Sequence, residues 1–172
     1  MPTITRPQPG DAAAMHALQQ KAFAEEGRRS GTTDIPPLTE TVEGIAAHIQ
    51  TQTALVAREG DAIVRSVRGV VTDGTCTIRA LVVDPVCQGR GIGSRLLRAL
   101  EAELPDVKRF ELTTNMVMEN NVPFYERHGY VVYETIQHSE IIRLALMSKH
   151  VQQDDDAQPA QRPSLRGTGT SR

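Results

Sequence analysis

The segment of this sequence best suited to chemistry is a glycine-rich turn. It reads QGRGIGSRLLR, from Gln88 to Arg98, and follows the apolar run LVVDPVC. Glycine permits positive φ and a close approach of a ligand to the backbone, and the first turn of a helix offers unpaired, partly positive N–H groups. The spacing therefore predicts a phosphate or diphosphate site, at which Arg90 and Arg95 are either direct contacts or solvated helix residues.

Two common nucleotide-binding patterns do not fit this turn. A P-loop requires GxxxxGK[ST], but no lysine follows Gly93. A dinucleotide fold requires GxGxxG directly after its strand, whereas here Ser94 replaces the third glycine and residues 84–88 intervene. Glu111 lies at the start of its predicted strand, not at the end where a ribose contact is made. Another diphosphate ligand remains the favoured interpretation, and a tight turn without a ligand is the alternative.

The elements that position the turn begin with helices and an antiparallel meander. A short strand at Thr3–Arg6 precedes a helix capped by Asp11, and the polar loop GRRSGTTDIPPLTE follows. Apolar residues between Val42 and Ile49 repeat with the period of a second helix. Three β-rich runs joined by tight turn dipeptides come next. Their residues are Thr53–Arg58, Ala62–Thr72 and Cys76–Val83.

After Val83 the pattern changes to strand, loop, helix and strand, which implies a parallel pair with a right-handed connection. A leucine stripe from Leu96 to Leu104 marks the helix, and Arg109–Thr114 is the next strand. Asn120 is expected to cap a short helix that ends at Gly129. The sequence thus predicts an α+β (α/β) fold, with about four helices around a mixed, mostly antiparallel sheet of about seven strands. The last two strands are Tyr130–Thr135 and Ile141–Met147.

Composition narrows the class of protein. The chain has 172 residues, 39% hydrophobic and 23% charged, with a formal net charge of -2, which is typical of one globular domain. A nucleic-acid partner is not expected, because a polyanion needs a basic face. No apolar run suits a signal peptide or approaches the roughly 20 residues that span a bilayer. We therefore expect a cytoplasmic protein with no membrane partner.

The remaining composition signals concern metals and the C-terminus. Cys76 and Cys87 do not form a CxxC pair, and the five histidines are scattered, so neither a disulfide nor a metal site is expected. From about residue 150 the sequence VQQDDDAQPAQRPSLRGTGTSR follows, with almost nothing to bury. The predicted organisation is one domain over residues 1–149 and a disordered tail over residues 150–172.

Two motifs in this order resemble the GNAT family of N-acetyltransferases. Gln88, Gly91 and Gly93 match its Q/R-x-x-G-x-G/A signature between a strand and a helix. The segment MENNVPFYERHGY is similar to the later family pattern N-x-x-x-Y-x-x-x-G-F/Y, with Asn121 and Tyr125 in register. The resemblance covers about residues 3–148 and implies the GNAT fold with acetyl-CoA as co-substrate and no metal.

The resemblance also implies roles for individual residues. Tyr125 would be the general acid that protonates the departing thiolate, although an aromatic residue in a short helix is by itself more often a packing residue. Asn121 would contact the cofactor. Backbone groups of one strand would pair with the pantetheine arm, and the glycine turn would hold the pyrophosphate. These two sets are Leu81, Val82 and Val83, and Gln88, Gly89, Arg90, Gly91, Ile92, Gly93 and Ser94.

The acceptor and the general base stay open at this stage. Many family members carry a carboxylate on the strand before the glycine turn, but CTIRALVV has none. The acidic loop from Glu25 to Glu43 is expected to form the acceptor wall and mildly favours a cationic amine. Arg65, Arg68 and Arg79 are expected either to meet a substrate carboxylate or to line a solvated face. The candidate bases are Glu26, Asp34, Glu40, Glu43 and Glu111.

The sequence therefore predicts an acetyl-CoA-dependent N-acetyltransferase that acts on a primary amine of a small molecule by direct attack. One alternative acceptor is a protein or peptide amine. A second alternative, of a different class, is a non-catalytic acyl-CoA-binding module that retains the fold. A homodimer is compatible with the sequence, which does not decide the oligomeric state.

Overall fold

Seven strands and five helices make up the part of the chain that the computed structural model describes, residues 2–87 and 91–151. Their order along the chain agrees with the predicted order of strands and helices. The strands are β1 Thr3–Thr5, β2 Thr53–Glu59, β3 Ala62–Thr72, β4 Thr75–Val83, β5 Arg109–Asn115, β6 Val131–Gln137 and β7 Arg143–His150, and the helices are α1 Ala12–Ser30, α2 Pro36–Thr39, α3 Val42–Thr51, α4 Ile92–Ala102 and α5 Asn121–Glu126.

All seven strands belong to one sheet with the order β1-β2-β3-β4-β5-β7-β6. β4 and β5 are parallel and every other neighbouring pair is antiparallel. The predicted mixed, mostly antiparallel sheet is therefore confirmed. The strand bounds up to β5 agree with the prediction to within a residue at most ends, whereas β7 begins at Arg143, two residues later than predicted.

Helices cover both faces of the sheet. Adjacent residues of a strand point to opposite faces, and in β2 Leu55 packs into the core with α4, whereas Val56 packs with α1 and α3. The larger core includes Leu96, Leu97 and Leu100 of α4, all fully buried. The predicted leucine stripe is thus the side of α4 that faces the sheet.

The region predicted as a polar loop is more ordered than the sequence indicated. Helix α1 runs to Ser30 and ends at Gly31, which has the left-handed φ of 67° common after helices. Pro36 and Pro37 then open α2 instead of stiffening a loop, since the fixed φ of proline suits the first turn of a helix. This single-turn helix explains why the structure has five helices where about four were predicted.

Candidate functional site

The glycine-rich turn leads into α4 as the sequence predicted. Gly91 is the residue before the helix and has a left-handed φ of 66°, a conformation that costs an L-residue about 1–2 kcal/mol. The first helical hydrogen bond runs from Arg95 N to Gly91 O, at 3.3 Å. The amides of residues 92–94 come before this bond and belong to the helix N-terminus, where N–H groups lack intrahelical acceptors. Gln88, Gly89 and Arg90 lie outside the described residues and stay predictions.

Gly93 joins three elements. A Cβ placed on Gly93 would lie 3.6 Å from the Phe124 ring of α5 and 3.7 Å from Val83 Cγ2 at the end of β4. The start of α4 therefore meets both the strand and the helix that the resemblance assigns to the site. Ile92, the first helical residue, is buried beneath this contact point, at 4% exposure.

β4 separates from β5 before it reaches the turn. The described parallel pairs are Thr75–Arg109, Cys76–Phe110 and Thr77–Glu111, all in the first third of β4. A register shift against β3 follows, and Ala80 has a positive φ of 47°, as in a β-bulge. In the described structure Leu81, Val82 and Val83 have no partner on β5, and a gap opens between the two strands.

Asp84 fixes the chain where it leaves β4. Lys21 Nζ of α1 lies 2.9 Å from both carboxylate oxygens of Asp84. The amide of Val86 donates to Asp84 Oδ1 at 2.9 Å. These hydrogen bonds, with the charge of the nearby Arg65, lower the pKa of the Asp84 carboxyl. Asp84 is thus an anchor between α1 and the segment leading to the turn. We call residues 81–87 and 91–94 the donor side.

Tyr125 lies in α5 between two other aromatic rings. Its ring packs edge-on against Phe124 at a centroid distance of 5.1 Å and against Tyr130 at 5.8 Å. Burial raises the pKa of the Tyr125 hydroxyl, and the negative charge of Glu26 raises it further. Tyr125 therefore keeps its proton at neutral pH, as a general acid must.

Asn121 stands at the start of the same helix. Its side-chain nitrogen donates a hydrogen bond of 3.0 Å to Thr114 Oγ1 near the end of β5. Thr114 is buried, so this bond ties the first residue of α5 to the sheet. The structure places Asn121 beside the gap, and its predicted cofactor contact stays a prediction.

A family comparison identifies this arrangement. The acetyltransferase (GNAT) domain model matches residues 50–132, a range that contains β4, the start of α4 and Tyr125. This chain contains a GNAT acetyltransferase domain. The predicted family and the predicted enzyme class are therefore confirmed. Among curated proteins, none matches the sequence.

The GNAT domain is also similar in fold to solved structures. For the ribosomal-protein alanine N-acetyltransferase from Escherichia coli the TM-score is 0.73 at 17% identity, covering 91% of this chain and 98% of that one. The paiA N-acetyltransferase from Thermoplasma acidophilum, in complex with coenzyme A, gives 0.70 at 13% identity over 88% and 99%. The yncA protein from Salmonella typhimurium, solved with acetyl-CoA, gives 0.70 at 16% identity over 96% and 99%. At these identities the likeness shows the shared fold.

Across the gap from the donor side of the GNAT domain, side chains of α1 meet the end of β5. Asn115 Nδ2 donates to Ser30 Oγ at 2.9 Å, and Asn115 Oδ1 accepts from the amide of Val117 at 3.1 Å. Asn115 also hydrogen-bonds the carboxylate of Glu26. We call Glu26, Ser30, Asn115 and residues 116–119 the acceptor side. From the sequence, Glu26 was only one of five candidate bases. No sequence pattern indicated that Ser30 pairs with Asn115.

The other candidate bases either are paired with side chains of the protein or are exposed to solvent. Glu40 accepts two hydrogen bonds of 2.6 Å from Arg68 and one of 2.7 Å from Gln19, and these outweigh burial and lower its pKa. Glu111 is paired with Arg109 at 3.2 Å. Asp34 and Glu43 are exposed. Of the five carboxylates, Glu26 is the one whose charge contributes to the raised pKa of Tyr125.

The three arginines of the meander have different environments. Arg68 is 3% exposed and is bonded to Glu40, to Gln19 Oε1 at 3.0 Å and to His48 Nδ1 at 2.6 Å. This cluster fixes the end of α2 onto the sheet between α1 and α3. Arg65 is also buried, whereas Arg79 is exposed. The solvated-face interpretation is thus wrong for Arg65 and Arg68, and Arg68 meets the protein's own carboxylate instead of a substrate.

Two further observations apply to residues 2–87 and 91–151 alone. In this part of the chain no group of three or more histidine, cysteine, aspartate or glutamate side chains is arranged to hold a metal ion. In the same residues, none of the helices is both long and apolar enough to cross a membrane.

Proposed function

We propose that this GNAT domain transfers the acetyl group of acetyl-CoA to a primary amine of a small molecule. The observation that carries the proposal is the start of α4 beside the end of β4. There, helix N-terminal amides and the left-handed Gly91 adjoin a strand that has left its partner. Both solved neighbours described with coenzyme A or acetyl-CoA share this fold, which supports the same co-substrate here.

The donor side fits a diphosphate and its extended arm. Among the described residues, nothing lies within 4 Å of the position that a Cβ on Gly91 would occupy, so this part of the structure leaves room for a ligand close to the backbone. Amides at a helix N-terminus favour anions through hydrogen bonding and the helix dipole. We propose that the pyrophosphate binds residues 88–94 and that the pantetheine arm pairs with the backbone of residues 81–83. Asn121 contacts the co-substrate from α5.

Tyr125 is the proposed general acid. Acetyl-CoA supplies an activated thioester, and attack by an amine on its carbonyl carbon releases the thiol as a leaving group. The raised pKa of Tyr125 keeps a proton available for the departing sulfur. Its position between Phe124 and Tyr130 restricts the ring, so the hydroxyl is directed without a large loss of side-chain entropy.

The proposed acceptor is a cationic primary amine because the acceptor side presents the Glu26 carboxylate. Arg29, the nearby cation on α1, is paired with Glu119 at 3.2 Å, and its guanidinium also contacts Met118. A protonated amine is attracted to such a partly buried carboxylate more strongly than to one in water. A protein or peptide amine satisfies the same chemistry and is the alternative acceptor.

The test measures release of free thiol from acetyl-CoA in the presence of primary amines. One panel contains amino acids, polyamines and amine antibiotics, and a second contains peptides with free N-termini or lysines. We expect turnover with the first panel. Turnover with peptides alone would move the acceptor to proteins. Tight coenzyme A binding by calorimetry without turnover in either panel would instead favour the non-catalytic binding module.

A further inference from the structure

The carboxylate of Glu26 is held in place by a small buried network. Glu26 and Ser30 are four residues apart and so lie on one face of α1. Ser30 is 4% exposed and Asn115 is 5% exposed. One N–H of the Asn115 amide donates a hydrogen bond to Ser30 Oγ, and the Asn115 side chain also hydrogen-bonds Glu26. The Asn115 side-chain oxygen accepts from Val117 N, so both polar atoms of the Asn115 amide have hydrogen-bond partners. The end of β5 therefore orients the Glu26 carboxylate.

Glu26 on α1 and Tyr125 on α5 interact electrostatically. The charge of Glu26 acts on the Tyr125 hydroxyl strongly enough to raise its pKa. Burial raises the pKa of Glu26 itself, and the hydrogen bond from Asn115 only partly opposes this shift. The two following cations of α1 are engaged elsewhere, because Arg28 pairs with Glu25 and Arg29 with Glu119. The Glu26 carboxylate therefore hydrogen-bonds an uncharged amide on β5, and its charge acts on a neutral phenol on α5.

This pair has the two properties that acetyl transfer requires. A carboxylate with a raised pKa interacts electrostatically with a hydroxyl that keeps its proton, so a base and an acid are available in complementary protonation states. An alkyl amine has a pKa of about 10.4, so only about 1 molecule in 2,500 is neutral at pH 7. The reaction needs a group that removes the amine proton at the site, and a carboxylate with a raised pKa is better suited to this than an exposed one.

We propose that Glu26 is the general base that takes a proton from the acceptor amine, and that Asn115 is the positioning residue that orients it. The inference rests on the proposed acetyl transfer. It differs from the pattern in which the carboxylate lies on the strand before the glycine turn, since here it comes from the last two turns of α1.

Protons are conserved in the proposed transfer. Glu26 takes one proton from the ammonium, and the freed nitrogen lone pair forms the N–C bond at the thioester carbonyl. When the carbonyl reforms, the C–S bond breaks and Tyr125 gives its proton to the sulfur. The nitrogen loses its second proton to restore Tyr125, and Glu26 releases its proton to water. The products are the amide, the free thiol and one proton in solution.

The test compares Glu26→Gln with Glu103→Gln. Glu103 follows the last residue of α4, is exposed and pairs with Arg6, so it is the control for loss of a carboxylate outside the site. We expect Glu26→Gln to lower kcat/KM for an active alkylamine by about 100-fold or more, with acetyl-CoA affinity unchanged by calorimetry. Glu103→Gln is expected to retain wild-type kinetics. Glu26→Asp, which keeps the charge but shortens its reach, is expected to lie between them.

Two readouts separate a base from a structural residue. The deficit of Glu26→Gln is expected to shrink as the pH rises toward about 10, where the amine loses its proton unaided. It is also expected to shrink when propylamine is replaced by the far less basic 2,2,2-trifluoroethylamine. An equal deficit with both amines and at every pH would overturn the assignment, as would Glu26→Gln with wild-type rates. Absence of turnover in the wild-type protein would instead overturn the proposed acetyl transfer and this inference with it.

Discussion

The donor side of the GNAT domain is formed mainly by backbone groups, whereas the acceptor side is formed by side chains. On the donor side, backbone amides, the left-handed Gly91 and the small Gly93 provide the surface, and apolar side chains support it from below. On the acceptor side, the side chain of Asn115 hydrogen-bonds Ser30, which is 85 residues away in sequence, and also Glu26. A backbone site depends on local residue types, whereas a side-chain network depends on which elements the fold brings together.

Mutations on the two sides should therefore affect different properties of the protein. Changes on the donor side should alter co-substrate binding through backbone conformation and charge at the helix N-terminus. Changes on the acceptor side and at Tyr125 should alter turnover or stability and leave coenzyme A affinity nearly intact. Variants of each side, measured by both calorimetry and kinetics, therefore test whether co-substrate binding and turnover separate in this way.

The largest effect is expected for Gly91→Glu. The new side chain must adopt the left-handed φ of 66°, and its carboxylate would face the proposed pyrophosphate. We expect coenzyme A binding to be abolished in calorimetry while the protein stays folded. Gly74→Glu is the control, because Gly74 also has a positive φ of 76° and open space around it but lies at the other end of β4. Unaltered affinity in Gly91→Glu would contradict the donor assignment.

Tyr125→Phe is expected to lower kcat by about 10²–10⁴, which is the usual contribution of a positioned acid or base. The ring packing against Phe124 and Tyr130 does not need the hydroxyl, so coenzyme A affinity should be retained. Thiol-release kinetics and calorimetry measure the two effects separately. Tyr133→Phe, at an exposed position on β6, is the matched control. Unchanged turnover in Tyr125→Phe would remove the tyrosine from the mechanism.

A smaller effect, on stability, is expected for Arg68→Met. The change leaves the mostly buried Glu40 carboxylate without its partner, and breaking such a pair costs about 3 kcal/mol. Urea unfolding should report this loss, with coenzyme A affinity largely kept because the cluster lies under α2 and not at the turn. Arg79→Met is the control, since Arg79 is the exposed cross-strand neighbour of Arg68. An equal loss in both variants would show that the cluster contributes nothing specific.

The smallest effect concerns pH. Burial and the positive charges of Arg68 and Arg79 lower the pKa of His48. The negative charge of Glu40, 3.3 Å away, partly opposes this decrease. In the unfolded chain this histidine has an ordinary pKa of about 6.5, so it binds a proton more readily there than in the folded protein. Stability should therefore fall as the pH drops below about 6.5. His48→Gln should make urea midpoints less pH-dependent than in the wild type, with the exposed His138→Gln as control. A wild-type slope in His48→Gln would exclude this contribution.

Local patterns predicted the elements around the glycine turn well because each one reflects a local physical constraint. Leucine spacing located α4, turn dipeptides located the meander, and Gly91 lies where a left-handed residue is needed. The same local reasoning was wrong for the segment around Pro36, since two prolines are equally compatible with a stiff loop and with a first helical turn. The role of Tyr125 came from the resemblance, because aromatic spacing alone does not separate packing from catalysis.

The order of elements, the family and the position of the glycine turn could be read from the sequence, since periodicity, turn residues and helix N-termini depend on neighbours in the chain. The tertiary structure was needed to show which of the five carboxylates acts on the pKa of Tyr125 and that Arg68 is bound to Glu40. Those outcomes depend on contacts between residues far apart in sequence, and a carboxylate becomes paired, exposed or a candidate base according to what the fold packs against it.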